Sequence, residues 1–432
     1  MRRRSALPVV LLLLLAASCD SGGEAQPEPK DAPPAAITRV ELEQHLTALQ
    51  KIADRHGGSR AAGTPGYRAS ADYVAARLRE TGWRVGLQRL SLPYFDLRRA
   101  ALNVGGRRLR RGPDFQALTY SGSGRATGRM RRLRNGCAAE EFEGLSADEI
   151  PVVGRSICFF RMKAVNAARA GARALIVVDD APTSEGVPSG TLAIQGIRIP
   201  VLLVADRALA GAGDGELLSV AVRAVSGRRA THNVIADTPG GDGERVVMAG
   251  GHLDSVPGGP GINDNGSGVA ALIEAAESIG PDPQGAPVRL AFWAAEEVGL
   301  VGSRHYVRSL SANERRRIGA YINLDMIGSP NPVPEVYVDG DADLGRLLRR
   351  IAGPPVATVA AGGASDHAPF DAVGIPVNGL YTGGPERGPH GRPRDACYHL
   401  ACDTLDNVDR AVLVRMARAA AETLRELSAR HR

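Results

Sequence analysis

The chain has 432 residues and a formal charge of +6, and its positive charge is almost all arginine, because lysine occurs only at Lys30, Lys51 and Lys163. Aromatic residues make up 4% of the chain, and no nucleic-acid motif accompanies the basic runs RRLRR and RMRRLR, which excludes a nucleic-acid-binding protein. A solvated face is the favoured interpretation of these runs, and contact with an anionic membrane surface is the alternative. The length exceeds the usual size of one domain, so we expect two.

Residues 1–19 have the pattern of an export signal rather than of a folded segment. Three arginines at positions 2 to 4 precede a leucine-rich stretch over residues 7–17. That stretch is too short to span a bilayer, which needs about 20 apolar residues. We therefore expect the signal to be cleaved and the protein to be exported.

The signal ends in AASC, which resembles a bacterial lipobox ending at Cys19, although leucine is more usual where Ala16 stands. We expect a lipid on Cys19 to anchor the protein to a membrane of the cell envelope. A secreted soluble protein, with Cys19 free or removed, is the alternative. Residues 20–36 are rich in proline and have almost no bulky apolar side chains, which predicts a disordered tether.

Residues 37–113 begin the larger of the two predicted domains. The segment ELEQHLTALQKIAD and a second segment ending at Leu78 predict helices on either side of the turn AAGTPGY. Residues 83–90 predict a strand.

Residues 114–222 form a different pattern, marked by NGC at Asn135, ICFFRMKAVNAARAGARALIVVDD from Ile157 and IPVLLVA from Ile199. These segments resemble the protease-associated (PA) domain, which implies a small β-rich module with a helix before the ARALIVV strand. The insert has no cluster of His or Glu residues that could carry catalysis. A lid, a substrate-access surface and a partner site stay open as its role, as does plain structural packing.

The cysteines favour two disulfides and one lipid attachment site. Five cysteines are an odd number, which would leave one thiol unpaired in an oxidising compartment. Lipidation of Cys19 leaves four. Two local bridges, Cys137 to Cys158 and Cys397 to Cys402, are the economical pairing in an exported protein.

The larger domain resumes over residues 223–432, where strands alternate with helices up to a long C-terminal helix over residues 407–430. This alternation predicts an α/β fold, with a sheet covered by helices on both faces. Five motifs here contain acids or histidines: HLDSVPGGPGINDNGSG from His252, AFWAAEEVGL from Ala291, NLDMIG from Asn323, SDHAPF from Ser365 and CYHLACDTLDN from Cys397.

The residue types in these motifs suit zinc, which binds imidazole nitrogen and carboxylate oxygen and leaves a position open for water in catalytic sites. Two histidines and three carboxylates can hold two Zn²⁺ ions only if one carboxylate bridges them, and Asp264 is the natural bridge. Three negative ligands against four positive charges leave one positive unit, which lowers the pKa of a bound water. The predicted ligands are His252, Asp264, Glu297, Asp325 and His399.

The spacing of the first motif supports this hypothesis. Residues 245–251 predict a buried strand with His252 at its carboxyl end, where α/β sheets bind their ligands. Asp254 is then a candidate to accept the second N–H of His252. Asp264 comes just before a helix predicted to begin near Ser267.

A strand predicted over residues 288–297 ends in two adjacent acids. Neighbouring side chains of an extended segment point in different directions, so one acid can bind metal while the other faces substrate. We assign Glu297 to the metal and Glu296 to proton transfer, from the bridging water to the leaving amine.

Together these motifs resemble the M28 family of zinc metallopeptidases, of the secreted bacterial aminopeptidase type with an inserted PA domain. The resemblance implies a three-layer α/β/α catalytic domain around a mixed β-sheet. It also implies that His252 and Asp325 bind one zinc, that Glu297 and His399 bind the other, and that Asp264 bridges the two.

The same resemblance implies that Glu296 is the general base and that Tyr398 helps to stabilise the tetrahedral intermediate. Because the five ligand positions are already filled, we expect His367 to be structural rather than a ligand. Asp366 is expected to support the ligands by hydrogen bonding.

The expected activity is the removal of N-terminal residues from peptides by an enzyme with two Zn²⁺ ions per chain. A carboxypeptidase acting on acidic peptides and a glutaminyl cyclase with one zinc are alternatives on related folds. A receptor-like protein that has lost its metals is a third alternative. It is disfavoured because every predicted ligand and the base are present.

Overall fold

The computed structural model describes residues 36–155, 158–179, 187–188 and 190–431. The predicted export signal, the lipidation site Cys19 and nearly all of the predicted tether lie outside the described residues. Within the described ranges, no helix combines the length and the apolar character needed to cross a bilayer.

The helices predicted from the sequence are present. The two helices around AAGTPGY begin at side-chain caps, because Thr38 and Thr64 accept hydrogen bonds from backbone N–H groups of the first turn. The described α-helices are α1 (Arg39–Arg55), α2 (Pro65–Glu80), α3 (Phe160–Arg169), α4 (Gly268–Ile279), α5 (Val301–Ser309), α6 (Ala312–Arg317), α7 (Ala342–Ala352), α8 (Ala368–Asp371) and α9 (Arg410–Arg430).

The described strands join in one continuous hydrogen-bonded sheet. They are β1 (Arg84–Val104), β2 (Arg107–Arg108), β3 (Phe115–Ala117), β4 (Gly124–Arg132), β5 (Glu149–Gly154), β6 (Leu175–Asp179), β7 (Val201–Ala205), β8 (Leu217–Asp237), β9 (Val246–His252), β10 (Val288–Trp293), β11 (Ile318–Leu324), β12 (Glu335–Tyr337), β13 (Ala357–Val359) and β14 (Val377–Tyr381). Their order is β13-β12-β14-β11-β9-β10-β8-β4-β5-β6-β7-β3, with β1 paired to β8 and β2 to β1.

Alternate side chains of the central strands enter two different apolar cores. On β9, Val247 and Ala249 pack in one core with α1, α2, α4 and α9, whereas Met248 packs in the other with α5 and α8. Strands β14, β11, β9 and β10 are parallel, whereas β8 is antiparallel to β10 and β12 is antiparallel to β14. The predicted three-layer α/β/α domain around a mixed sheet is therefore confirmed.

The insert has an apolar core of its own, built on β4 to β7 and on α3, which precedes the LIVVD strand as predicted. This core also includes Leu102, Val104 and Leu109, which come before the predicted start of the insert at residue 114. The disulfide between Cys137 and Cys158 is formed, as is the one between Cys397 and Cys402. Both predicted bridges are therefore confirmed.

A long two-stranded ribbon connects the two cores. Strand β1, predicted to end at residue 90, continues to Val104 because it pairs along its whole length with β8. Val234 of β8 pairs with Phe292 near the carboxyl end of β10, and the two strands are antiparallel. The earlier part of β8 therefore extends beyond the carboxyl edge of the central strands, and the insert lies on that side of the sheet.

This topology predicts that the insert can be removed without breaking the larger core. Ala101 and Ala221 are paired across the ribbon, so replacing residues 102–220 by Asn-Gly would close a two-residue hairpin in register. We expect the shortened chain to unfold cooperatively and to bind as much zinc as the full chain, measured by circular dichroism and by atomic absorption. A folded variant that binds no zinc would contradict the prediction.

Candidate active site

The predicted metal ligands meet at the carboxyl edge of the parallel strands. His252 is the last residue of β9, Asp325 directly follows β11, and Glu297 comes four residues after the end of β10. Asp264 lies in the turn before α4, and His399 lies in the loop between β14 and α9. Carboxyl ends of parallel strands share one edge, so residues far apart in the sequence become neighbours.

The side-chain geometry divides the ligands into two pairs around Asp264. Its Oδ1 lies 3.1 Å from Nε2 of His252, and its Oδ2 lies 3.2 Å from Nε2 of His399. Oδ1 of Asp325 lies 3.3 Å from the same His252 nitrogen, and Oε2 of Glu297 lies 3.0 Å from that of His399. Each oxygen of Asp264 therefore faces one histidine and one further carboxylate.

The donors around Asp264 suit a divalent cation. Among the described residues, Oδ1 of Asp325 and Oε1 of Glu297 are buried without a hydrogen-bond partner, which in a native protein calls for an ion or water. Burial, followed by the charge of Asp264, raises the pKa of Glu297 to about 7. A cation bound between these groups would compensate for the burial of their charge, and imidazole with carboxylate is a donor set that zinc accepts.

The tautomer of His252 also suits a ligand. Its Nδ1 lies 3.0 Å from the backbone carbonyl of Asp254, which can only accept a hydrogen bond, so Nδ1 carries the proton. In the neutral imidazole, Nε2 is then the unprotonated nitrogen, and it faces Asp264 and Asp325. The carboxylate of Asp254, expected to accept this proton, lies farther away, at 3.9 Å.

Asp254 contacts Glu296 instead. Its Oδ1 accepts the backbone N–H of Glu296 at 3.1 Å. Burial of Glu296, with the nearby charges of Asp366 and Asp325, raises the pKa of Glu296 well above its usual range. A buried carboxylate with a raised pKa is suited to accepting and releasing a proton.

The strand predicted over residues 288–297 is shorter than expected. Strand β10 ends at Trp293, and the chain turns at Ala295, whose φ is 61°. The alternation of an extended segment therefore does not separate Glu296 from Glu297, as the sequence argument assumed. The turn itself places the two acids, which a pattern of apolar residues does not reveal.

Hydrogen bonds from neighbouring side chains orient the carboxylate of Asp325. Ser365 donates from its hydroxyl to Oδ2 of Asp325 at 2.6 Å, and Asn323 donates to the Ser365 hydroxyl at 2.9 Å. Oδ1 of Asp325 is left to face His252. Such supporting contacts orient ligands and hold their geometry.

Asp366 and His367, which are neighbours in the SDHAPF motif, have different surroundings. Asp366 is fully buried, and burial raises the pKa of its carboxyl group to about 7. His367 packs against the ring of Tyr337, with 4.7 Å between ring centroids. The structure groups His367 with an aromatic side chain rather than with the predicted ligands.

Tyr398 lies directly beside His399, a predicted ligand. Their rings stack at 3.8 Å between centroids with an interplanar angle of 21°. His399 has a φ of 60°, a conformation that non-glycine residues rarely adopt. The disulfide between Cys397 and Cys402 encloses both residues in a short loop and so restricts their backbone.

Sequence reasoning missed Arg60, which is fully buried beneath the loop that leads to Asp264. Its guanidinium donates to the carbonyl of Pro260 at 2.9 Å, to that of Gly261 at 2.6 Å and to that of Leu253. Burial lowers its pKa to about 10, so Arg60 stays charged at neutral pH. In the sequence, only the position of Arg60 directly before the turn AAGTPGY could have indicated a structural role, and that indication is weak.

Asp403 is the second residue that the sequence reasoning missed, and it holds the backbone at Asp264. Its carboxylate accepts the backbone N–H of Asn263 at 2.8 Å and that of Asp264 at 3.0 Å. The side chain of Asn263 donates in turn to Asp395 at 2.7 Å. The peptide bond between Asp264 and Asn265 is cis. The CYHLACDTLDN motif therefore supplies a residue that positions Asp264 as well as the predicted ligand.

Known proteins resemble this chain over most of its length. Residues 233–424 match the family model described as peptidase family M28, and residues 127–211 match the PA domain model. A probable lipoprotein aminopeptidase of Mycobacterium tuberculosis is 37% identical over 410 residues, which cover 85% of this chain and 81% of that protein. An aminopeptidase of Pseudomonas aeruginosa is 35% identical over 425 residues, covering 88% of this chain and 79% of its own.

Solved structures show the same fold. An aminopeptidase from Aneurinibacillus sp. strain AM-1 superposes with a TM-score of 0.71 at 26% identity, covering 90% of this chain and 95% of its own. A zinc aminopeptidase from Bacillus subtilis gives a TM-score of 0.69 at 25% identity with the same coverage.

The contacts of Arg60 predict a large effect on stability. In Arg60→Gln, a shorter neutral side chain leaves buried backbone carbonyls without donors, which should lower the free energy of unfolding by about 3 kcal/mol or more. Urea denaturation followed by fluorescence measures this change. Arg68→Gln, at an exposed position of α2, is the control and should change it by less than about 0.5 kcal/mol. Equal stability of the two variants would contradict the role given to Arg60.

Proposed function

Because this chain belongs to peptidase family M28, we propose that it is a two-zinc aminopeptidase that removes N-terminal residues from peptides. The observation that carries the proposal is the arrangement around Asp264, whose two oxygens face two separate pairs of one histidine and one carboxylate. The names of the relatives and the solved zinc aminopeptidase support the same activity.

In this proposal, each residue of the cluster has one task. His252 and Asp325 would hold one zinc, Glu297 and His399 would hold the other, and Asp264 would serve both. Two zinc ions, when bound, supply Lewis acidity toward the scissile carbonyl and lower the pKa of a water between them.

The chain's own groups perform the proton transfers. Glu296 accepts a proton from the attacking water and delivers it to the leaving amine, for which its buried carboxylate is suited. Asp254 holds Glu296 in place through the backbone N–H. The hydroxyl of Tyr398 donates a hydrogen bond to the oxygen that becomes negative in the tetrahedral intermediate.

The contacts of Arg387 and Arg394 favour an aminopeptidase over a carboxypeptidase, which needs a cation for the terminal carboxylate. Arg394 already forms two hydrogen bonds with Glu335, and Arg387 donates to the backbone carbonyl of Gly391. A glutaminyl cyclase from an Acidobacteriales bacterium has the same fold at 17% identity, which supports the fold alone. The complete ligand set disfavours a receptor without metals.

We further propose that the protein works at the cell envelope, held there by a lipid on Cys19. The AASC segment and the relative named as a lipoprotein support this location. Peptides would be the substrates. The PA insert, proposed to span residues 114–222 between the two parts of the peptidase domain, would not contribute a ligand.

The first test concerns the base. Glu296→Gln keeps the shape of the side chain but cannot accept a proton, so kcat should fall at least about 100-fold. The zinc content, measured by atomic absorption, should stay near two ions per chain. Loss of both metals in this variant would show that Glu296 is a metal ligand rather than a base.

Asp264→Ala is the matched contrast, because it removes the side chain that faces both histidines. We expect this variant to lose affinity for both ions together. Two tightly held zinc ions in Asp264→Ala would refute the bridging assignment.

A second test identifies the peptide end that the enzyme recognises. An aminopeptidase binds a free α-amine, which acidic groups near the metals can hold as an ammonium. N-acetylation of a test peptide should therefore abolish cleavage, and C-terminal amidation should leave it intact, as followed by mass spectrometry. The reverse result would establish the carboxypeptidase alternative.

A further inference from the structure

A cavity of about 370 Å³ opens directly beside the metal cluster, with Asp325 and Tyr398 in its wall. Under the proposed function, the α-amine and first carbonyl of a peptide bind at the cluster. The first side chain then has this adjacent space to enter. The volume lies near the lower end of about 300–1,000 Å³ for ligand pockets, which suits one side chain rather than a large ligand.

Apart from Asp325 of the metal cluster, the walls of this cavity combine apolar surface with one carboxylate. Met326, Val359 and Pro385 supply aliphatic surface, and Tyr337 and Tyr381 supply aromatic surface. Glu386 is the acidic wall residue outside the metal cluster. An aliphatic stem with a charged end suits such a lining, because long side chains bury the stem and keep the head near polar partners.

The charge of Glu386 is only partly compensated by its neighbours. Its carboxylate accepts hydrogen bonds from the backbone N–H of Gly384 at 3.0 Å and from the hydroxyl of Tyr381 at 3.1 Å, and both donors are neutral. Arg394 approaches it at 3.3 Å. The same guanidinium makes closer contacts of 2.5 and 3.2 Å with Glu335.

One arginine is therefore shared between two carboxylates. The pair of Arg394 and Glu335 is the more buried, with side chains 13% and 6% exposed, whereas Glu386 is 41% exposed. Arg387, next in the chain, donates to the backbone of its own loop at Gly391. The group formed by Glu335, Glu386 and Arg394 has one net negative charge, and the carboxylate at the cavity wall is the accessible one.

We propose that this cavity binds the side chain of the first substrate residue and that Glu386 pairs with its cationic end, so that the enzyme prefers peptides beginning with lysine or arginine. This inference rests on the proposed aminopeptidase activity. It assigns to Glu386 a part in specificity and none in the chemical step.

The test compares two substrates that differ in one charged group. Lysine p-nitroanilide and norleucine p-nitroanilide share the four-carbon stem, and only lysine has the terminal ammonium. With the zinc-loaded full chain, kcat/KM for lysine should exceed that for norleucine by about five- to tenfold, because Glu386 is partly exposed and solvent weakens the pair. Glu386→Gln should bring the ratio close to one while leaving kcat/KM for norleucine within about threefold.

Two further variants separate a charge effect from a change in the loop. Glu386→Arg should reverse the preference, toward glutamate p-nitroanilide over lysine. Glu422→Gln, at an exposed position of α9, is the control and should keep the wild-type ratio.

Equal kcat/KM values of the wild type for lysine p-nitroanilide and norleucine p-nitroanilide would overturn the inference, even if no variant folds. An equal loss of both substrates in Glu386→Gln would also overturn it, by showing a structural role. If neither substrate is cleaved by the zinc-loaded wild type, the proposed aminopeptidase activity itself fails, which is a distinguishable result.

Discussion

The concentration of buried carboxylates at one edge of the sheet is the constraint on which the rest of this structure depends. Asp264, Glu297 and Asp325 lie within a few ångströms of two histidines, with Glu296 and Asp366 close behind. Burial alone would protonate such groups or expel them to the surface. A fold that keeps them together must therefore supply positive charge, hydrogen bonds and a rigid backbone at the same place.

The chain meets these needs from distant parts of its sequence. The guanidinium of Arg60 brings a buried positive charge beneath the loop that leads to Asp264, and Asp403 holds the backbone of Asn263 and Asp264 from the other side. The parallel strands align the remaining ligands at their carboxyl ends. The loop that carries Asp264 is thus held by hydrogen bonds between its backbone and two buried charged side chains.

This construction explains how much could be predicted from the sequence. His252 and Asp325 end or directly follow apolar strands, so their placement follows from a local pattern and a general rule for α/β sheets. The turn that separates Glu296 from Glu297 contains no such pattern. Arg60 and Asp403 act through contacts across some 140 to 200 positions of the chain, and a single sequence does not indicate such pairings.

The same distinction applies to the insert. Its strands and its helix were implied by the resemblance to the PA domain, but the length of β1 was not predicted, because the segment after residue 90 is extended through its pairing with β8. That pairing determines where the insert lies. Since β8 is antiparallel to β10, the ribbon leaves the sheet at the edge where the ligands meet. A substrate that approaches the predicted ligands from beyond this edge comes from the side that the insert occupies. Of the roles left open by the sequence, a substrate-access surface or a lid therefore agrees better with the topology than structural packing remote from the site.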